Sequence, residues 1–287
     1  MSATEPSEAV RPAGCPAGCP SEPTPEATLA LTGERTVPGI PEENYWFRRH
    51  QAAYLRLVDR CVGARVLEAG CGEGYGAALL AGSARLVVGL DYDAITAAHV
   101  AARYPQVHVV RGNLVHLPLP DGALDVVANL QVIEHLWDQP GFLAECFRVL
   151  RPGGLLLVST PNRITFSPGR DTPLNPFHTR ELAAAELAEL LIDAGFAVRE
   201  LLGLHHGPAL RELDARYGGS LIEAQVEVVL HGGDWPEPLR ADVAGVRAAD
   251  FAIHGERVDE SLDLIAVAQR PTDRATQATI DQPAEAP

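Results

Sequence analysis

The sequence lacks a long apolar run, a signal-peptide pattern and an excess of basic residues, and each absence excludes a class of protein. No stretch approaches the roughly 18 consecutive apolar residues of a membrane-spanning helix. Residues 1–25 have no apolar core of the kind that signal peptides carry. The net charge of −15 argues against binding nucleic acid, which requires a basic surface. These absences favour a protein with no membrane span and no nucleic-acid partner.

Cysteine is scarce, with five residues in the chain. Cys15 and Cys19 lie in the tandem repeat PAGCPAGCP. Low-complexity sequence is a better interpretation of this repeat than a metal or redox pair, because no further ligand residues stand nearby. Cys61, Cys71 and Cys146 are scattered, so we expect reduced thiols and a cytoplasmic location.

Short apolar runs alternate with helical patterns from residue 64 onward, and this alternation predicts the fold class. Strands that are apolar along nearly their whole length typically form parallel sheets that helices cover on both faces. The pattern therefore predicts an α/β fold with a doubly wound, mostly parallel sheet. Its seven predicted strands are 64–70, 85–91, 107–112, 123–130, 153–160, 196–203 and 261–269.

Composition divides the chain into a core and flanking segments. Residues 1–30 are rich in Pro, Glu, Ser and Ala and are predicted to form a disordered tail. A helix is predicted over 179–195, with Thr179 as its cap and Gly195 as its stop. The remaining segments are predicted to be a lid helix region at 31–62, a cofactor-binding core at 63–203, an inserted substrate cap at 204–260, a last core strand at 261–270 and a flexible tail at 271–287.

The first predicted strand ends in the glycine-rich stretch EAGCGEG, residues 68–74. Gly70, Gly72 and Gly74 permit a tight turn and let the backbone approach a ligand closely. Asp91 ends the second strand about 20 residues further on, where an acidic residue accepts hydrogen bonds from ribose hydroxyls. Ligands of open α/β sheets bind beyond the carboxyl ends of the strands. This combination therefore predicts a site for a nucleoside-containing cofactor.

The residues of this turn also distinguish between nucleoside cofactors. The dinucleotide fingerprint G-x-G-x-x-G would require glycine at position 75, where Tyr75 stands. Glu68 and Glu73 disfavour a pyrophosphate, whereas two carboxylates suit a cofactor that carries a sulfonium and an ammonium group. The turn therefore favours S-adenosylmethionine over NAD.

Four stretches together resemble the class I S-adenosylmethionine-dependent methyltransferases over roughly residues 33–203. They are VLEAGCGEGYG, GLDYD, LPLPDGALDVVANLQVIEHLWD and RVLRPGGLLLVSTPNR. In finer detail, LTGERTVPG and STPNRITFSPGRDTPLNPFHTREL resemble bacterial members associated with glycan and polysaccharide modification, notably the mycobacterial-type methyltransferase linked to methylglucose lipopolysaccharide synthesis. The resemblance implies a sugar or polysaccharide hydroxyl as the acceptor.

The resemblance also implies which residues hold the cofactor. The implied set is Glu68, Gly70, Cys71 and Gly72 at its amino-acid part, Asp91 at its ribose, Tyr92, Asn113 and Leu114 at its adenine, Leu130 and Gln131 beside its methionine portion, and Arg48 or Arg49 at its carboxylate. The family often has aspartate at the position of Asn113, although an amide can still bond the adenine amine. For the arginines, the alternative is that they are solvated while Trp46 and Phe47 pack the helix.

The stretch NLQVIEHLWD, residues 129–138, ends the fourth predicted strand, which in this family borders the methyl group. Similar sugar-directed enzymes use a histidine near here as general base. The resemblance therefore implies this role for His135, with Glu134 beside it; the alternative is a histidine that orients the loop or braces Glu134. His178, after the fifth strand, is a second candidate for the base, and otherwise it helps to cap the following helix.

A metal site is a third interpretation of the same stretch. Some family members bind a divalent ion through Glu-x-x-Glu-His at this place, but Gln131 stands where the first carboxylate is needed. Glu134 and His135 alone would make a weak Mg²⁺ site, so no metal is expected.

The sequence thus predicts an S-adenosylmethionine-dependent methyltransferase that acts on a sugar or polysaccharide hydroxyl. One rival is an O- or N-methyltransferase for a small aromatic or secondary metabolite, which an apolar acceptor cleft would favour. A rival of another class is a non-catalytic module that binds S-adenosylmethionine, which a filled or absent acceptor cleft would favour. The oligomeric state stays open.

Overall fold

A computed structural model describes residues 36–232 and 234–272 of the chain. The predicted tail at 1–30, the Cys15 and Cys19 repeat and most of the tail at 271–287 lie outside the described residues. Cys61, Cys71 and Cys146 are buried free thiols. None of the helices in the described ranges is long and apolar enough to cross a membrane.

The core is one sheet of eight strands in the order β3-β2-β1-β4-β5-β8-β6-β7. Strands β1 to β5 pair in parallel, whereas β8 runs antiparallel to β5 and β6, and β7 antiparallel to β6. The strands are β1 (Arg65–Ala69), β2 (Leu86–Asp91), β3 (His108–Arg111), β4 (Leu124–Leu130), β5 (Leu150–Pro161), β6 (Ala197–His206), β7 (Phe251–His254) and β8 (Asp263–Gln269).

The mostly parallel Rossmann-like sheet is confirmed, but the predicted count of seven strands is wrong. The extra strand, β7, is four residues long and falls in the segment predicted to be an insertion. Its sequence, FAIH, has an apolar run of three residues, which is too short to indicate a strand by pattern alone. Strand β6 also continues to His206, three residues beyond its predicted end at 203.

Helices cover both faces of the sheet. They are α1 (Asn44–Leu57), α2 (Tyr75–Ala81), α3 (Ala94–Arg103), α4 (Gln139–Val149), the short α5 (Arg163–Phe166), α6 (Ala184–Asp193), α7 (Pro208–Arg216), α8 (Leu221–His231) and α9 (Glu237–Gly245). Neighbouring residues of one strand belong to different apolar clusters. Val66 belongs to the cluster that contains Leu80 of α2, and Leu67 belongs to the cluster that contains Phe142 of α4. This alternation is what doubly wound folds require of their central strands.

Helix α6 corrects the prediction made for 179–195. It begins at Ala184, and its first turn is capped by Glu186, whose Oε2 accepts a hydrogen bond from Ala183 N at 2.7 Å. The Thr179 hydroxyl instead donates to the carbonyl oxygen of Leu136 at 2.7 Å. Gly195 ends the helix as predicted, with φ at +91°, a conformation that favours glycine.

Helix α1 is held against β6, β8 and the residues after α9 by polar contacts at three of its residues. The Asn44 side chain donates to the carbonyl of Val246, just after α9, at 2.8 Å. The Tyr45 hydroxyl bonds His206 of β6 at 2.7 Å, and Arg49 forms an ion pair with Asp263 of β8. These contacts place α1 across the carboxyl ends of the strands.

Candidate active site

A cavity of about 1380 Å³ opens at the carboxyl ends of the five parallel strands. The turns after β1, β2, β3 and β4 form its floor, and α1, α8 and the loop after β5 form its walls. Nine of the predicted cofactor residues, at the ends of β1 to β4, line this cavity: Gly70, Cys71, Gly72, Asp91, Tyr92, Asn113, Leu114, Leu130 and Gln131. The three predicted catalytic residues also line it: Glu134, His135 and His178.

The glycine turn after β1 has the backbone conformation that its glycines were expected to permit. Gly70 has φ at +84° and Gly72 at +50°. A Cβ on Gly70 would lie 2.7 Å from Val132 Cγ1, so no side chain fits there, whereas a Cβ on Gly72 would meet nothing within 4 Å. Gly72 therefore leaves open space where a ligand can approach the backbone.

Asp91, at the end of β2, is tied to this turn. Its Oδ2 accepts a hydrogen bond from Gly72 N at 3.0 Å, and its Oδ1 accepts one from Asp93 N at 3.0 Å. A carboxylate oxygen accepts more than one hydrogen bond, so both oxygens can still accept from a ligand. Two backbone donors thus fix the carboxylate in the cavity wall.

The next part of the cavity lies between Tyr92 and the loop after β3. The Tyr92 side chain is largely exposed at the rim. Asn113 is oriented by its Oδ1, which accepts from Val115 N at 3.1 Å. The Arg111 Nε donates to the carbonyl oxygen of Tyr92 at 3.0 Å and joins the two loops. Tyr92 and Asn113 both line the cavity.

Glu68 does not face the cavity, contrary to its predicted role at the cofactor. Its carboxyl lies beneath the glycine turn, where Oε1 accepts from the Tyr54 hydroxyl and Oε2 has no hydrogen-bond partner. A Cβ on Gly76 would lie 2.3 Å from Oε1, so glycine is required there. Burial raises the pKa of Glu68 to about 8. The side chain joins α1 to the start of α2.

The raised pKa of Glu68 predicts a pH dependence of stability. Between its unfolded value near 4.5 and the folded value of about 8, the folded state keeps a proton that the unfolded state releases. Stability therefore falls as pH rises through this range, by up to about 1.4 kcal/mol per pH unit. Glu68→Gln, which cannot ionise, should remove the contribution of Glu68 and make the decline smaller, while the contribution of Glu134, whose pKa burial also raises to about 8, remains. Urea unfolding of both proteins at pH 5 and pH 8 measures the difference, and an equal loss of stability in the two proteins would contradict the prediction.

The two arginines proposed to meet a cofactor carboxylate have other partners. Arg49 donates to both carboxylate oxygens of Asp263, at 2.7 and 2.6 Å, and to the Leu262 carbonyl oxygen. Arg48 bonds Gln51 at 2.7 Å and is not among the residues that line the cavity. The structure therefore does not support Arg48 in the predicted role. Arg49 lines the cavity, but its guanidinium is already paired with Asp263.

Thr36 and His50, which the sequence did not single out, also line this wall. The Thr36 hydroxyl lies 3.2 Å from the Tyr75 hydroxyl and 3.4 Å from His50 Nδ1. Burial lowers the pKa of His50 to about 4, so its ring is neutral near pH 7. Trp46 lines the same wall. The aromatic and basic character of α1 was the available signal, but it did not indicate which side chains face inward.

The end of β4 brings the predicted catalytic residues together. Gln131 adopts φ at +58°, and its Nε2 donates to Ser159 Oγ at 2.8 Å. Glu134 is fully buried, and its Oε2 accepts from the Thr160 hydroxyl at 3.0 Å. Burial raises the pKa of Glu134 to about 8. One ligand atom each from Glu134, His135 and His178 lies within 4.8 Å of the other two.

The tautomers of both histidines follow from their partners. His135 Nδ1 lies 3.0 Å from the Phe177 carbonyl oxygen, and His178 Nδ1 lies 2.7 Å from Glu181 Oε1. A carbonyl oxygen only accepts, so His135 Nδ1 carries the proton of its ring. His178 Nε2 accepts from Asn175 Nδ2 at 3.1 Å, so the proton of this ring also lies on Nδ1. The ring centroids are 4.9 Å apart. Glu134, His135 and His178 are called the Glu-His-His cluster below.

The opposite wall of the cavity is apolar. It is formed by Phe166 and Phe177 from the loop after β5 and by Ile222, Val226, Val229, Leu230 and Trp235 in and after α8. Val229 and Leu230 are also strongly exposed to solvent. The space beside the Glu-His-His cluster is thus open, with polar groups on one side and apolar groups on the other.

Comparisons with known proteins agree with this architecture. Residues 67–158 match a family described as "Methyltransferase domain". A protein of Mycolicibacterium smegmatis named "Probable S-adenosylmethionine-dependent methyltransferase" is 66% identical over 248 residues, which cover 85% of this chain and 96% of that protein. A Mycobacterium tuberculosis protein of the same description is 62% identical over 85% of this chain and 91% of its own length.

Solved structures extend the likeness to the fold. A SAM-dependent methyltransferase of Thermotoga maritima superposes with a TM-score of 0.53 at 20% identity, covering 78% of this chain and 93% of that one. At this identity the likeness shows the fold alone. The assignment to a family rests on the two mycobacterial relatives. The chain belongs to the class I S-adenosylmethionine-dependent methyltransferases, with S-adenosylmethionine as its cofactor.

Proposed function

We propose that this methyltransferase methylates a hydroxyl group of a sugar or polysaccharide that binds beside the Glu-His-His cluster. The observation that carries the proposal is the cluster itself, which places three polar side chains at the end of β4 within one open cavity. Hydroxyl oxygens both donate and accept hydrogen bonds, so they pair with a carboxyl and with imidazole lone pairs. The finer resemblance to glycan-modifying enzymes supports the same acceptor.

The described residues fit the cofactor. Asp91 offers ribose hydroxyls a fixed carboxylate, and Tyr92, Asn113 and Leu114 form a slot for adenine. Gly72 leaves room for the methionine portion, for which Leu130 and Gln131 supply the adjoining floor. When bound, S-adenosylmethionine supplies an electrophilic methyl group on a sulfonium.

The protein's task is then to orient the acceptor oxygen and to remove its proton. Alignment of the reacting atoms supplies much of the acceleration of a displacement, and a base of suitable pKa adds to it. His135 keeps its Nε2 lone pair, so the hypothesis that this ring is the base agrees with its hydrogen bond. His178 Nε2 accepts from Asn175 Nδ2, so His178 could act as the base only after this bond is broken. Glu134, held by Thr160, orients the hydroxyl.

The flanking segments are proposed to enclose the acceptor. Helix α1, in the 31–62 region, lies on the cofactor side, and α8, within 204–260, covers the cavity from the other side. We place the reaction in the cytoplasm, as the reduced cysteines suggest.

A second acceptor class is favoured by the apolar wall. Ile222, Val226 and Trp235 face the cavity, as an aromatic or other apolar small molecule would require. A screen of sugars, glycans and aromatic hydroxyl compounds with labelled S-adenosylmethionine distinguishes the two. Methylation of sugars or glycans alone would support the proposal. Methylation of aromatic compounds alone would show that the acceptor is an aromatic compound and not a sugar. Tight cofactor binding with no transfer to any acceptor would favour the non-catalytic module.

Asp91 provides a direct test of the cofactor placement. Because its carboxylate should accept ribose hydroxyls, Asp91→Ala should weaken S-adenosylmethionine binding about 10- to 100-fold, as expected for the loss of charge-assisted hydrogen bonds. Asp91→Asn, which keeps one oxygen, should have a smaller effect. Calorimetry measures both, with the exposed Asp59→Ala as the control. Unchanged affinity in Asp91→Ala would show that the ribose binds elsewhere.

A further inference from the structure

A second cavity lies at the edge of the sheet opposite to the active-site cavity. Its volume is about 700 Å³, which is within the range of sites for small molecules. It is formed where β1, β4, β5 and β6 begin and where the antiparallel β8 ends. It is called the arginine groove below, because five arginines line it: Arg60, Arg65, Arg85, Arg151 and Arg199.

The charge of the arginine groove is opposite to that of the chain. The chain has 38 acidic and 23 basic residues, whereas the only acidic residue among those that line the groove is Asp125. Glu200, outside the groove, pairs with Arg60. With Asp125 and Glu200 each neutralising one arginine, three arginines remain in excess. An excess of one sign of charge in a cavity attracts ligands of the opposite sign.

Two interruptions of regular strand pairing bring arginines to the groove. In the pairing of β6 with β8, the register shifts at Arg199, which is an extra residue of β6. In the pairing of β4 with β5, the strand β5 has additional residues between Leu150 and Leu155, and Arg151 is one of them. Bulges of this kind redirect side chains and are frequent next to functional sites. The irregular backbone at both places therefore coincides with the groove.

Hydrogen bonds fix the direction of three of the arginines. Asp125 Oδ2 accepts from Arg65 Nε at 3.1 Å, and its Oδ1 accepts from Arg151 Nε at 2.7 Å. The Arg65 guanidinium holds the pKa of Asp125 well below its usual range, so Asp125 stays ionised. Gln269 Oε1 accepts from Arg199 Nε at 3.0 Å. The guanidinium groups are thus oriented by partners at Nε.

Donors remain for a ligand. Within the described residues, Nε is the one side-chain nitrogen of Arg199 that is bonded. Arg85 forms no side-chain hydrogen bond or ion pair with any residue of 36–232 or 234–272. A guanidinium can donate two parallel hydrogen bonds to the oxygens of a phosphate group. The unused nitrogens of these two arginines therefore suit a phosphate.

The length of the groove favours linked phosphates over a single one. Arg65 lies on β1 and Arg199 on β6, which are four strand positions apart in the sheet. At the usual spacing of neighbouring strands this corresponds to about 19 Å. One phosphate cannot contact arginines over such a distance, whereas a chain of phosphates can reach several of them.

We propose that the arginine groove binds the di- or triphosphate group of a small molecule. Arg85 and Arg199 supply free guanidinium nitrogens, while Asp125 holds Arg65 and Arg151 in place. Nucleic acid also carries phosphates, but the net charge of −15 of the chain disfavours it. The groove is remote from the active-site cavity, so the inference does not depend on the proposed acceptor.

Calorimetry on the full-length protein tests the inference, with S-adenosylhomocysteine saturating the cofactor site. Sodium triphosphate and ATP should each bind at one site, and inorganic phosphate should bind at least about 10-fold more weakly because it makes fewer charge-assisted hydrogen bonds. Equal affinities for triphosphate and ATP would show that the phosphates alone are recognised, and a higher affinity for ATP would show that its nucleoside contributes. Both affinities should fall as salt is raised, because salt screens the charges.

Variants of the free arginines locate the ligand. Arg85→Gln and Arg199→Gln should each weaken triphosphate binding about 10-fold, and the double variant about 100-fold. Arg199→Lys, which keeps the charge but not the planar guanidinium, should recover only part of the loss. Arg257→Gln removes the same charge from an exposed arginine outside the groove. It is the matched control and should bind like the wild type.

Four results would overturn the inference. They are the absence of saturable binding of both triphosphate and ATP, wild-type affinity in the double variant, an equal loss of affinity in Arg257→Gln, and tighter binding of a single-stranded oligonucleotide than of triphosphate. Triphosphate binding that disappears when S-adenosylhomocysteine is added would also overturn it, because the anion would then occupy the cofactor site. None of these results bears on the methyltransferase assignment or on its acceptor.

Discussion

A His135→Ala variant is expected to bind S-adenosylmethionine like the wild type and to transfer methyl groups about 100- to 10,000-fold more slowly. This range is the usual effect of losing a positioned acid–base group. His178→Ala should behave alike, because both imidazoles belong to the Glu-His-His cluster. The measurements are kcat with the best acceptor of the screen and cofactor affinity by calorimetry.

The exposed His108→Ala serves as the control for both variants. Wild-type kcat in both His135→Ala and His178→Ala would show that neither ring acts in the reaction. A parallel loss of cofactor affinity would instead show that the rings support the cofactor pocket and not the acceptor.

Removal of Asp263 should cause the largest loss of stability. Its partner Arg49 is 3% exposed and donates two hydrogen bonds to it, so Asp263→Ala leaves a buried charge without compensation. Breaking a buried pair from one side costs about 3–5 kcal/mol. The double variant Arg49→Met with Asp263→Leu should recover most of this loss, because it buries no charge. Urea unfolding at neutral pH measures the free energy of unfolding of each variant.

The exposed pair formed by Arg257 and Glu260 is the matched control. Glu260→Ala should change stability little, because solvent screens an exposed pair. A double variant no more stable than Asp263→Ala alone would contradict the explanation by charge, and would indicate that the shape of this contact matters instead.

The parts of the site that sequence predicted well are those set by the local backbone. The glycine turn and Asp91 meet because β1 and β2 are adjacent parallel strands, with Glu68 paired to Gly89. A correct prediction of the two strands therefore also places their carboxyl-terminal motifs side by side at one edge of the sheet. The same holds for Leu130 and Gln131, which follow β4 directly.

Side-chain direction and distant partners could not be predicted in this way. Glu68 lies in the right strand, but its carboxyl points beneath the turn towards Tyr54. Arg49 lies in the predicted helix, but its partner Asp263 is 214 residues further along the chain.

The position of β8 has a consequence for the order in which a newly made chain can fold. In the sheet, β8 lies between β5 and β6, and β6 reaches the parallel strands only through it. Strands β1 to β5 can pair as soon as the ribosome releases them, whereas β6 and β7 must wait for the strand synthesised after them. Asp263, the first residue of β8, is also the ion-pair partner of Arg49. The walls of the cavity are therefore assembled last, and the nascent enzyme can hold its acceptor only after β8 has entered the sheet.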